Sequence, residues 1–188
     1  VYNSQTLLTN NSFNEDAIEV DKGTDNQQIS KYQLIKVDDK LLFPQIHTTT
    51  LCVVDDRIKI KPNPDITILE LNTPTYMKLY NAARFSILNQ VVTVIILHIG
   101  YFEGVNRPVM YTVNTAYKKL KNCFPNAAIF ITELVKAYDT RSSNKIKVEQ
   151  FNESINQSTL KSQVIKTSDS FPCLLNLLNF WLEQISKN

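Results

Sequence analysis

The sequence predicts an α/β domain with a mixed, partly parallel central sheet flanked by helices. Two observations carry that reading. Apolar, β-branched stretches alternate with helical stripes from Ile66 to Val135, which is the pattern of strand-helix-strand units with crossover helices. A chain of 188 residues with a 43% hydrophobic fraction is long enough to bury one substantial core and short for two, so the units belong to one domain.

Taken in order, residues 1–30 are polar and rich in Asn, Gln and Asp, and read as an arm preceding a single domain over residues 31–188. From Lys31 to Leu71, the stretches Tyr32 to Val37, Thr49 to Val54 and Ile66 to Leu71 alternate with turn-like Asp38-Asp39 and Pro62-Asn63-Pro64, as successive strands or hairpins do. At Asn72-Thr73-Pro74 the signal changes. Thr73 can cap a helix with Pro74 at its first position, and Tyr76, Leu79, Tyr80, Ala83 and Ile87 then form one stripe.

Val91 to Ile99 is apolar throughout except Thr93 and His98, too short to span a membrane, and is the best candidate for the central strand. A second helix runs from about Pro108 to Cys123 and stops at Phe124-Pro125-Asn126; Ala127 to Val135 is the next strand. Residues 136–169 are Ser-, Asn- and Lys-rich and read as a polar loop holding a short strand around Ile146 to Phe151. A last helix, Phe171 to Lys187, carries a wide apolar stripe: Leu174, Leu177, Leu178, Trp181, Leu182 and Ile185 face the core. That breadth leaves Leu175 and Phe180 directed toward a second subunit, where aromatic anchors dominate interface energetics.

Composition removes several function classes. A net charge of +2, from 20 basic and 18 acidic residues, is not the strongly basic balance of an obvious nucleic-acid binder. Cys52, Cys123 and Cys173 form no Cys-x-x-Cys pair, so neither a zinc framework nor a disulfide scaffold is signalled, and a reducing compartment follows. The sequons at Asn10, Asn152 and Asn156 are what chance supplies in an Asn-rich chain. The start at Val1, with no leader composition, reads as a fragment of a larger protein. His47 and His98 have no ligand-spaced neighbours, and three glycines build none of the phosphate-cradling or nucleophile-elbow motifs; no cofactor or metal is called for.

Two clusters bear on chemistry. Lys118, Lys119 and Lys121, with Lys136 and Arg141 beyond the next strand, can form a positive surface that displaces counterions from DNA phosphates, the plainer alternative being a solvated helix face. Leu51-Cys52-Val53-Val54-Asp55-Asp56-Arg57 is an apolar strand ending in Asp-x-Arg. With Glu70 on a neighbouring strand, Asp55 has the placement of a nuclease metal ligand; the plainer alternative is a turn at Asp55-Asp56 and a solvent-facing Glu70.

Val53-Val54-Asp55-Asp56-Arg57 and Ile68-Leu69-Glu70-Leu71-Asn72 stand where the XPF-type structure-specific nucleases carry Asp-x-Arg-Glu and Glu-Arg-Lys, with Ile58 in place of the following Glu and no Gly-Asp pair. Downstream, Lys78-Leu79-Tyr80, the strand from Val91, Leu120 to Pro125, Ala127 to Thr132 and Leu174 to Ile185 follow that family's order of helix, strand, helix with a Phe-Pro step, strand and closing helix. Over residues 49–188 the chain thus resembles a degenerate XPF-type nuclease domain.

The resemblance implies that Asp55 and Glu70 are relics at metal positions and that the chain is no enzyme. It implies a nuclear, heterodimeric protein that pairs with an excision-repair-partner-like subunit and helps bind branched DNA in meiotic recombination, as inactive versions in the yeast Zip and synapsis initiation proteins do. The alternatives are an α/β scaffold assembling proteins without nucleic acid and, third, an active metal-dependent nuclease.

Overall fold

In a computed structural model the described residues are 30–136, 145–167 and 177–187. They form β1 (Lys31–Tyr32), β2 (Ile35–Val37), β3 (Lys40–Leu42), β4 (Thr50–Asp55), β5 (Ile66–Leu71), α1 (Tyr76–Phe85), β6 (Val94–His98), α2 (Val109–Cys123), β7 (Ala128–Thr132), α3 (Val148–Asn156), β8 (Val164–Ile165) and α4 (Leu177–Ser186). A six-stranded sheet runs β1-β5-β4-β6-β7-β8, and all of its pairings are parallel. The α/β class with a helix-flanked sheet is what the sequence predicts. The antiparallel element is set apart as a ribbon, β2 with β3, closed by Asp38 and Asp39 at φ 49° and 63°, the left-handed pair of a two-residue hairpin.

Every residue of β4 after Thr50 is buried, and β6 is buried after Val94, because strands in the middle of a parallel sheet are covered on both faces. The apolar run from Val91 therefore shares the centre of the sheet with β4. From β5 through α1 to β6, and again through α2 to β7, the chain steps the same way across the sheet. Right-handed crossovers in one direction place their helices on one face, and α1 and α2 pack against each other. From β4 to β5 the chain steps the opposite way without a helix, and Ile58 and Ile60 of that passage are buried in the core.

Three local expectations are corrected. Thr73 does not cap α1, because its φ of 44° makes it part of a turn; Thr75 caps instead, its Oγ1 accepting from Lys78 N at 3.1 Å. Ile87 does not continue the α1 stripe: the helix ends at Phe85, and Ile87 is 86% exposed. Most of the supposed loop 136–169 is structured. Where a strand was expected around Ile146 to Phe151 there is α3, burying Val148, Phe151 and Ile155. Asn152 holds α3 to the end of β7, bonding Leu134 N and Leu134 O at 2.7 and 3.1 Å. Among the described residues no helix is long and apolar enough to cross a membrane.

Candidate functional site

In doubly wound α/β sheets, ligands bind beyond the carboxyl ends of the strands, at the point where successive connections depart in opposite directions. Here that point lies between β4 and β6. Asp55 ends β4, His98 ends β6, and Tyr101 follows at once.

The crevice is filled by the protein's own side chains. Asp55 is fully buried and accepts from Arg57 N and Nε through Oδ1, at 2.9 and 3.0 Å, and from Nη2 through Oδ2 at 2.8 Å. This pairing raises the guanidinium's pKa still further. The Arg57 guanidinium in turn lies 5.2 Å from the Tyr101 ring and 4.8 Å from that of Phe102. Tyr101 Oη donates to Val135 O at 2.9 Å and accepts from Val135 N at 2.8 Å, which ties the loop after β6 to the segment after β7.

His98 hydrogen-bonds Thr132 Oγ1 through Nδ1 and meets Tyr101 Oη through Nε2 at 3.3 Å. Burial pushes its pKa down to about 3 against the opposing pull of Asp55, so the ring is neutral at ordinary pH and is not poised as a proton carrier. Both described cysteines are buried thiols whose pKa burial raises, that of Cys123 to about 11, which disfavours nucleophilic roles. Glu103 is buried, and desolvation raises its pKa. Its carboxylate accepts from Tyr76 N at 2.7 Å and from Thr112 Oγ1 at 3.3 Å, which closes the amino end of α1. Gly100, at φ 143°, makes this packing possible: a Cβ there would sit 2.8 Å from the Phe151 ring.

The two carboxylates expected at metal positions do not converge. The β4–β5 register pairs Val54 with Glu70 and Asp55 with Leu71, so the pleat sends Glu70 and Asp55 to opposite faces of the sheet. Each has its own cation: Arg57 for Asp55, and Lys31 at 3.2 Å for Glu70. Among the described residues no group of three His, Cys, Asp or Glu side chains is placed to hold a metal ion.

The basic cluster is likewise divided. Lys121 Nζ donates to Ala127 O at 2.6 Å and to Pro125 O at 3.4 Å, stapling the turn after α2. Lys136 pairs with Glu149 at 2.8 Å. Lys118 is exposed, Lys119 lies 5.9 Å from the Tyr80 ring, and Arg141 falls outside the described residues. Of the partner-facing pair, Phe180 is half-buried and packs against the edge of the core, and Leu175 lies outside the described residues.

Sequence reading missed Tyr101, Thr132 and the meeting of His98 with Trp181, whose rings are 4.8 Å apart. The one available signal was polarity: His98 interrupts an otherwise apolar strand. An open depression of about 630 Å³ beside the start of α2 is lined by Arg107, Met110, Gln150 and Glu153, with neither His nor Cys among its walls.

The fold and site together describe an α/β domain with a parallel central sheet whose switch point is closed from within. No protein-family profile, curated protein or solved structure matches this chain.

Proposed function

We propose that the chain works by binding: a non-catalytic XPF-like domain that pairs with a second, excision-repair-partner-like subunit and helps hold branched DNA during meiotic recombination in the nucleus. One observation carries the non-catalytic part. The buried carboxylate at the end of β4 is paired with Arg57, whose guanidinium lies against the Tyr101 and Phe102 rings, while Glu70 faces the other way. Metal-assisted phosphodiester cleavage needs several oxygens around one cation, and these two carboxylates do not converge on one.

A second reading, a scaffold that assembles proteins without nucleic acid, is favoured by the engagement of Lys121 with main-chain carbonyls and of Lys136 with Glu149. The two readings part on one titration. The purified chain, alone and with a co-expressed partner, is mixed with duplex, flap and four-way DNA at stepped salt, with magnesium or manganese. The proposal expects shape-preferring binding that weakens with salt, and no cleavage. Indifference to DNA supports the scaffold, and cleavage lost in Asp55→Ala restores the nuclease.

A further inference from the structure

From Asn72 to Thr132, through α1, β6 and α2, the sole carboxylate is Glu103, and it is buried. The same span carries Lys78, Arg84, Arg107, Lys118, Lys119 and Lys121. Its charged surface is therefore of one sign.

Within it, Phe85, Ile87, Leu88 and Val91 are four of the six exposed large hydrophobic side chains among the described residues, the others being Val105 and Tyr111. Single exposed apolar residues are ordinary, whereas four in so short a segment mark an interaction surface. The segment is also fixed in shape. Ser86 Oγ donates to Ala82 O at 2.6 Å and accepts from Phe43 N at 2.8 Å. Asn89 N donates to Cys123 O at 2.8 Å, its Nδ2 to Ile46 O at 3.1 Å, and its Oδ1 accepts from Val91 N and Val92 N at 2.9 and 3.0 Å. Asn126 Nδ2 donates to Gln90 O at 2.9 Å. The backbone is thus organised in advance, which lowers the ordering cost of binding.

Cations rim the aromatic side. Lys40 Nζ lies 4.7 Å from the Phe85 ring, and the Arg84 guanidinium 4.8 Å from Phe85 and 5.7 Å from Tyr80. The nearby hairpin acids are Asp38 and Asp39, and Asp39 pairs with Lys36 at 3.7 Å.

We infer that residues 85–91, with Lys40, Arg84 and Lys119 at their edge, form a docking surface for a protein segment that is aliphatic at its centre and carries carboxylates at its flanks. Ile87, Leu88 and Val91 gain by burying apolar area and offer neither charge nor hydrogen bond to a phosphate or a base edge, so the centre favours protein over nucleic acid. The cationic rim selects acidic flanks and repels a second copy of the same surface. The inference rests on the reading that the chain works by binding, and it moves the contact from the α4 residue Phe180 to the turn between α1 and β6.

The test uses the full chain as bait for a displayed library of random peptides. Enriched peptides are then titrated against Ile87→Asp/Leu88→Asp and Lys40→Glu/Arg84→Glu, whose melting temperatures should match that of the parent because the altered side chains are exposed. The expected result is enrichment of Asp/Glu-flanked aliphatic peptides, a loss of affinity of roughly tenfold or more in each variant, and recovery on the charge-reversed variant when the peptide's acids become Lys. Enriched peptides that lack acids, or that bind both variants as they bind the parent, overturn this surface and leave the binding-module reading standing. If no peptide binds the parent, this surface falls, and the DNA titration decides the binding-module reading separately. Carbodiimide cross-links from Lys40 or Lys119 to this chain's own Glu15, Asp16, Glu19 or Asp21 would overturn it in favour of self-covering.

Discussion

The imidazole of His98 and the indole of Trp181 lie 4.8 Å apart at a tilt of 36°, both fully buried, at the carboxyl end of the central strand β6. Trp181 is the chain's single tryptophan, so tryptophan fluorescence reports on the surroundings of this one residue.

The pH dependence of stability follows from His98. Its folded pKa of about 3 lies below the ordinary 6.5, so between those values the unfolded chain binds the extra proton. The stabilisation is complete above about pH 6.5 and is lost progressively as pH falls toward 3, by at most ~1.4 kcal/mol per pH unit. Urea unfolding followed by Trp181 fluorescence at stepped pH should show a steeper acid loss for the parent than for His98→Leu. Parallel curves would contradict it.

Trp181 is also a donor without an acceptor among the described residues, where its buried Nε1 has no hydrogen-bond partner. Trp181→Ala should cost about 3–5 kcal/mol through the cavity it leaves. Trp181→Phe should cost distinctly less, because it keeps most of the ring and removes the orphan donor. Denaturant midpoints by circular dichroism decide this, and equal losses would count against it.

At the end of β4, Arg57→Ala strands the buried carboxylate of Asp55, at an expected cost of about 3 kcal/mol or more. Asp55→Leu combined with Arg57→Leu should recover much of that loss, because an apolar pair needs no desolvated charge. A double-mutant cycle with strictly additive losses would show that the two residues act independently.

The lysines of α2 should separate by role. Lys121→Ala should lower the melting temperature through the lost staple to Ala127 O and leave the salt dependence of any DNA binding unchanged. Lys118→Ala with Lys119→Ala should leave stability alone and flatten the salt dependence by about one unit of slope per lost phosphate contact. The reverse pattern would reassign them.

The alternation of strands and helices from Ile66 to Val135 was legible because buried parallel strands read as continuous apolar runs and α2 as a single stripe. What escaped was structure built from polar atoms. Residues 145–167 look like loop because they are Asn-, Gln- and Ser-rich, yet Asn152 bonds both main-chain groups of Leu134, and Asn156 Nδ2 donates to Glu133 Oε2 at 2.6 Å. Here amide side chains replace ladder partners, which composition cannot reveal. The Asp55 and Arg57 spacing was visible, but whether the carboxylate faces Glu70 or its own neighbour depends on the parity of the register, a property of the β4–β5 pairing and not of either segment. His98 and Trp181 belong to distant segments and meet only through the folded sheet.

The helix-free passage from β4 to β5 has a practical consequence for anyone handling this chain. By outline residues 56–65 are a loop, the place where an epitope tag, a protease site or a permuted terminus is ordinarily tolerated. Because Ile58 and Ile60 are buried and Ile58 N donates to Asp55 O at 2.9 Å, such an insertion would pull two core side chains out of register and unseat the residues that close the sheet's end.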